Sequence, residues 1–150
     1  MVKKIGIVII MTILVFNIVQ AQENGLGVGL IIGEPTGISG KIWTGNNTAI
    51  DGALAWSFGD NAQLHIHADY IIHKFNMIQV DEGKLPIYFG IGGRIKLNDS
   101  TKLGVRIPVG INYLLKDAPI DMFFEIVPIL DLLPSTNFNF NGGVGIRYFF

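Results

Sequence analysis

The chain ends with the stretch FNFNGGVGIRYFF, residues 138–150, and this stretch decides the fold. Apolar residues alternate along it with polar or small ones, and a period of two indicates a β-strand whose side chains point to opposite faces of a sheet. One face carries Phe138, Phe140, Val144, Ile146, Tyr148 and Phe150, and the other carries Asn139, Asn141, Gly143, Gly145 and Arg147.

The composition is unusual for a soluble domain. Charged residues make up 15% of the 150 residues, against about 25% in an average protein, and 19 residues are glycine. Disorder is excluded because 49% of the residues are hydrophobic. The formal net charge of -1 indicates no nucleic-acid partner. The absence of cysteine excludes disulfides and thiolate metal sites, and the length predicts a single domain.

The first residues have the pattern of a secretory signal peptide. Lys3 and Lys4 precede an apolar run over residues 5–19, and Ala21 ends a small-residue cleavage site. An uncleaved membrane anchor is the alternative, but the run is shorter than the roughly 20 residues that cross a bilayer. The sequence therefore predicts a signal peptide over residues 1–21 and a mature domain over residues 22–150.

The mature chain contains a series of short alternating segments separated by turn residues. It predicts an all-β fold, an eight-stranded antiparallel up-and-down barrel whose longest connection, 76–84, lies at the end that holds both termini. Pro108 and Pro128 fall within predicted strands, so we expect each at a bulge or a strand end. The predicted strands are 25–32, 37–44, 49–58, 63–75, 85–97, 101–115, 121–130 and 138–150.

A soluble barrel and a transmembrane barrel share the same period, so other features must show which face is inside. Charged residues within the cores of the predicted strands all fall on the glycine-bearing face, and on a lipid-facing surface one Lys or Arg costs about 2–4 kcal/mol at mid-bilayer. Aromatic residues gather at strand ends on the apolar face, as in interfacial girdles. These features favour a transmembrane barrel, with a soluble lipocalin-like lipid-binding barrel as the alternative. The girdle residues are Trp56, Phe58, Phe138 and Phe140 at one level and Tyr113, Tyr148 and Phe150 at the other.

The aromatic last residue resembles the end of bacterial outer-membrane β-barrels. This resemblance implies that Tyr148 and Phe150 form part of a signal for the outer-membrane insertion machinery. The mature chain resembles small, porin-like barrels of the OmpA or OmpX type. The stretch GEPTGISGK at 33–41, with Trp43 and residues 49–56, is similar to an uncharacterised family of small barrels from spirochaetes and related bacteria. The resemblance implies a monomer in the bacterial outer membrane, surrounded by its lipids.

The charged residues of the inner face predict an interior salt-bridge network that fills the barrel. If the turn at Asp99 and Ser100 centres its hairpin, Arg94 lies opposite Arg106, and acids must separate the two cations. The structural interpretation is a network that satisfies buried charge, and the functional alternative is a gated pore. The predicted network comprises Lys41, Asp51, Asp69, Arg94, Lys96, Arg106, Glu125 and Arg147.

One predicted strand carries His65, His67, Asp69 and His73 on the same face. Two of these side chains could converge on a metal ion, but nothing else in the sequence completes such a site. A lipid-acyl-modifying enzyme could use these residues with Ser57, yet no nucleophile motif is present and they face away from lipid. We therefore expect no catalytic, cofactor or metal site, and a non-enzymatic structural or surface-interacting role in the cell envelope.

Overall fold

A computed structural model describes residues 25–57 and 62–150. The predicted signal peptide and Phe58 lie outside the described residues. No helix in the described part has the length and apolar character needed to cross a bilayer. The strands are β1 Leu26–Gly33, β2 Gly37–Trp43, β3 Thr48–Ser57, β4 Gln63–Lys74, β5 Ile87–Leu97, β6 Lys102–Arg106, β7 Val109–Leu114, β8 Ile120–Leu133 and β9 Asn137–Phe149.

The strands form one antiparallel sheet that closes on itself. Each strand pairs with its neighbours in the chain, with β6 and β7 together filling one place between β5 and β8, and β1 pairs with β9 to complete the ring. The closing register joins Gly27 to Phe149 and Gly33 to Gly143. The prediction of an all-β up-and-down barrel is confirmed.

The predicted strand at 101–115 is interrupted at Ile107 and Pro108, so residues 25–57 and 62–150 contain nine strands instead of the predicted eight. The interruption causes no shift in register, because Arg106 pairs with Ile129 and Val109 with Ile126 on the β8 side. Pro108 therefore lies between two strands, as expected, and its carbonyl accepts from Gly90 N at 3.0 Å.

Pro128 does not lie at a bulge or a strand end, so that expectation is wrong. It lies inside β8 opposite Phe140, and its carbonyl accepts from Ile107 N at 3.0 Å. An antiparallel hydrogen-bonded pair normally exchanges two bonds, and proline removes one of them. The missing bond falls beside Ile107, where the neighbouring strand is already interrupted. The strand interruption at Ile107 and Pro108 and the missing hydrogen bond at Pro128 therefore lie side by side in the wall.

The wall has an apolar outer face and a largely polar inner face. Outward side chains of β9 are well exposed, from 38% for Tyr148 to 63% for Phe138. Leu54 and Trp56 of β3 and Ile91 of β5 also face outward. In the strands of residues 25–57 and 62–150, Lys74 at the end of β4 is the one charged residue on the outer face.

We call the two ends of the barrel lower and upper. The lower end holds the start of β1, the end of β9 and the connections 44–47, 75–86 and 115–119, and the upper end holds the turns 34–36, 98–101 and 134–136. The connection 75–86 folds onto β7 through the bridge between Lys84 and Leu114. Apolar side chains fill much of the interior near the lower end, including Trp43, Tyr88, Leu114, Phe123 and Phe149.

A buried charge network inside the barrel

Seven of the eight residues predicted for the interior network are buried, and Lys96 is half-buried at the upper end. The expected facing of Arg94 and Arg106 is wrong. Arg94 pairs with Gly104, and Arg106 with Gly92, because the hairpin centres on Asp99 and pairs Lys96 with Lys102. Each large cation therefore lies opposite a glycine, which leaves space for its side chain in the narrow interior.

Near the lower end, Arg147 on β9 is held by Asp121 on β8. Arg147 Nε donates to Asp121 Oδ1 at 2.9 Å, and Nη2 donates to Oδ2 at 3.0 Å. The Nη1 atom lies 3.7 Å from Asp51 Oδ2, and the guanidinium carbon lies 4.1 Å from the centre of the Phe123 ring. Two parallel hydrogen bonds to one carboxylate fix the guanidinium plane and strengthen the pair.

Lys41 on β2 extends the same group across the interior. Its Nζ donates to Asn112 Oδ1 at 2.7 Å, lies 2.9 Å from His73 Nε2 and lies 3.5 Å from Asp121 Oδ2. It also lies 4.1 Å from the centre of the Trp43 ring. Asp121 therefore serves two cations from different strands, and its carboxylate is central to the lower group.

The middle group is built on Arg106. Its Nε donates to Asp69 Oδ1 at 3.0 Å, and its Nη2 lies 3.5 Å from Glu125 Oε1. The Tyr88 hydroxyl donates to Glu125 Oε2 at 2.8 Å. Arg106 is 0% exposed, so its charge depends on these two acids for compensation.

The upper group is built on Arg94. Its Nη2 donates to Asp131 Oδ2 at 2.6 Å, and its Nε donates to Oδ1 at 3.0 Å. Asn139 Nδ2 donates to the same carboxylate at 2.9 Å. The Asn141 amide, with its oxygen toward Arg94, accepts from Nη1 at 3.3 Å. This group ends the network toward the upper mouth.

Interior glycines make room for the large inward side chains. A Cβ at Gly27 would lie 2.6 Å from the Phe149 ring, and a Cβ at Gly145 would overlap the Phe123 ring. A Cβ at Gly92 would overlap the Asp69 carboxylate that binds Arg106. The glycine-bearing face and the charged face coincide because large and small residues must alternate in so narrow a lumen.

Sequence reasoning missed two acids of the network, Asp121 and Asp131. Both are buried, at 0% and 2% exposure, and both lie on β8 at even spacings from Glu125. Extending the period of two from Glu125 in both directions would have found them. Asp131 was missed because the predicted strand ended at residue 130. Asp121 was missed because that strand is apolar on both faces, so its inward acids did not stand out as a series.

The network is close to electrical balance. Among the described residues, five acids and four bases are buried, and half-buried Lys96 supplies a further cation. Paired charges of this kind can rest in a dry interior, whereas an isolated one would be costly. The acids are Asp51, Asp69, Asp121, Glu125 and Asp131, and the bases are Lys41, Arg94, Arg106 and Arg147.

The structure separates the polar residues of β4 into different groups. The His65 and His67 rings lie edge to face with centroids 5.5 Å apart, and His67 Nε2 lies 3.9 Å from Asp69 Oδ2. His73 belongs to the lower group beside Lys41. Within residues 25–57 and 62–150, no three His, Cys, Asp or Glu side chains are placed to hold a metal ion.

Comparison with solved structures finds a similar fold. The chain matches the N-terminal β-barrel domain of OprF from Pseudomonas aeruginosa with a TM-score of 0.56 at 10% identity, covering 83% of this chain and 95% of that domain. The two chains share a β-barrel fold. No family model matches the chain, and no curated protein does. The similarity to small spirochaete barrels stays a prediction.

Proposed function

We propose that this protein is a non-enzymatic transmembrane β-barrel of the bacterial outer membrane, with a structural or surface-interacting role. One observation carries the proposal: the wall is inside out relative to a soluble protein. Arg106 and Arg147 are buried at 0% and 2% exposure, whereas Ile32 and Phe140 on the outer face are exposed at 65% and 62%. A hydrocarbon environment around the barrel explains both the exposed apolar side chains and the buried charged ones, because it favours apolar residues on the outer face and excludes charge from that face.

The strand lengths support a membrane location. A transmembrane strand needs about 9–11 residues when it is tilted. Strands β3, β4, β5, β8 and β9 contain 10, 12, 11, 14 and 13 residues. Among the described strands the ring leaves no free sheet edge, and a closed ring is what lets a sheet satisfy its backbone groups in lipid. Outer-membrane lipids are therefore the proposed surroundings of the wall.

The burial pattern opposes a soluble lipid carrier. Such a barrel would line its cavity with apolar side chains and expose its charged ones. Here the middle of the lumen holds Arg106 in ion pairs with both Asp69 and Glu125. A lipid chain entering this space would have to displace paired charges, which is strongly unfavourable.

The contacts of the inner polar groups support the non-enzymatic part of the proposal. Asp69 is occupied by Arg106, and His73 is held between Lys41 and the carbonyl of Asn47. These groups lie inside the wall, whereas lipid substrates would lie outside it. A general base that is already paired and enclosed cannot reach such a substrate.

Heat-modifiability tests the proposed membrane barrel. Residues 22–150 are refolded in detergent, and boiled and unboiled samples are compared on an SDS gel. We expect the unboiled protein to migrate differently, because a closed, hydrogen-bonded barrel resists SDS until it is heated. A protein that stays soluble and monodisperse without detergent would overturn the membrane assignment.

A further inference from the structure

The upper mouth of the barrel contains a cavity, and two of its lining residues, Lys96 and Asn141, belong to the charge network. Its volume is about 300 Å³, and its polar lining residues include Glu34, Gln63, His65, Lys96 and Asn141. The volume is within the range of small-molecule sites. The cavity lies above the Arg94 group, and the wall formed by β3, β4 and β5 encloses one side of it.

Three polar side chains of this cavity lack partners. His65 is 5% exposed, and its Nε2 makes no hydrogen bond. Gln63 and Lys96 are half-buried, and neither side chain forms a hydrogen bond or ion pair with the residues that the structure describes. Buried polar groups are normally satisfied, so the unpaired His65 Nε2, with the half-buried Gln63 and Lys96 side chains beside it, indicates a ligand with several acceptor atoms.

The charges around the cavity favour an anion. Lys96 pairs directly with Lys102 across β5 and β6, and like charges in that position destabilise a sheet unless a counter-charge intervenes. Arg94 is already neutralised by Asp131. The remaining acid on the cavity wall is Glu34, which is exposed. Arg94 and Lys102 repel the Lys96 ammonium more strongly than Glu34 and Asp131 attract it, so a net positive potential remains at Lys96.

We propose that the upper cavity binds the phosphate group of a small ligand, with Lys96 as the charge partner and Gln63 and His65 as hydrogen-bond donors. A phosphate presents oxygens in several directions, which suits donors that reach it from β4 and β5. The same chemistry occurs in free phosphate and in a lipid headgroup. This site does not depend on the proposed membrane location of the wall.

The test is a calorimetric titration of the refolded mature chain in a non-ionic detergent and a phosphate-free buffer, with inorganic phosphate as the probe. We expect saturable binding in the millimolar range or tighter. Lys96→Gln should weaken it about tenfold or more, because a charge-assisted contact is lost. Glu34→Gln should tighten it, because it removes the acid that opposes the anion. No binding by the unmodified chain would overturn the site.

Lys116→Gln is the matched control, because Lys116 is exposed in a connection at the opposite end. Its affinity for phosphate should equal that of the parent. Equal weakening by Lys96→Gln and Lys116→Gln would show non-specific attraction and overturn the site. Each variant must show the same change of gel mobility on boiling as the parent, so that loss of folding is separated from loss of binding.

Glycerol phosphate as a second probe distinguishes the two sources of the anion. If it binds at least as tightly as inorganic phosphate, the result supports a headgroup as the ligand. If inorganic phosphate alone binds, the result supports free phosphate. Binding of neither probe overturns the proposal, whatever the gel shift shows about the membrane barrel.

Discussion

Replacing Asp121 with alanine should be among the most damaging single changes to this barrel. The carboxylate accepts two hydrogen bonds from Arg147, at 2.9 and 3.0 Å, and lies 3.5 Å from Lys41 Nζ. After the change, Arg147 keeps one acid contact, at 3.7 Å from Asp51. Removing one partner of a buried pair typically costs about 3–5 kcal/mol, because a charge is left uncompensated. We expect a loss of that size in the free energy of unfolding.

The measurement is urea unfolding of the protein refolded into phosphatidylcholine vesicles, followed by tryptophan fluorescence. Trp43 is a suitable reporter because it lies 4.1 Å from Lys41. Lys116→Gln is the control, and a surface change of this kind should stay within about 0.5 kcal/mol of the parent. A loss below about 1 kcal/mol for Asp121→Ala would refute the argument that this pair is structurally essential.

A double-mutant cycle separates the pair from its surroundings. Asp121→Ala combined with Arg147→Ala should lose less stability than the two single changes added together, by about 0.5–3 kcal/mol. The reason is that Arg147→Ala removes the buried charge that Asp121→Ala leaves without its partner. Additive losses would mean that the two side chains contribute independently, and the bidentate contact would then carry no coupling energy.

Three further predictions concern the interior glycines, the outer wall and the middle group. Gly145→Ala should lower the free energy of unfolding by about 1–3 kcal/mol through overpacking, whereas Gly142→Ala should change little, since its Cβ would meet nothing closer than 3.5 Å. Val144→Arg, near the middle of β9, should cost about 2–4 kcal/mol in vesicles, and Phe138→Arg near its end about 0–1 kcal/mol. Tyr88→Phe should cost about 1.5–3 kcal/mol, because a buried hydrogen bond to a carboxylate is lost. Urea unfolding in vesicles measures all three. Equal losses within the glycine pair would contradict the assigned faces, and equal losses within the arginine pair would contradict the assigned depths in the membrane.

The faces of the wall could be predicted because they depend on local backbone geometry. Successive side chains of a strand alternate, so the charged and apolar series separate as soon as a strand is recognised. Arg147 and Ile146 were assigned to opposite faces in this way, and the structure places them at 2% and 47% exposure. Phe149 also follows the rule: it shares the parity of Arg147 and is buried at 1%.

The partners of the buried charges could not be predicted because they depend on register. A shift of one residue at the turn near Asp99 changes every pair in that hairpin, and the assumed centre gave the wrong partners for Arg94 and Arg106. The structure joins Arg94 to Asp131 and Arg106 to Asp69, two contacts between residues that are far apart in the chain. The upper cavity likewise is lined by residues of five strands, β1, β3, β4, β5 and β9, and of the turn 34–36.

The sequence by itself therefore determined that the chain forms two-faced strands, that their charged residues share one face, and that the strands alternate in direction. Short turns and a period of two are local properties, because they depend only on residues that are close together in the sequence. The tertiary structure alone decided which charges meet, where the prolines interrupt the wall and which polar groups remain unpaired. These features depend on the closure of β1 onto β9 and on the stagger between strands, and only the complete ring fixes both.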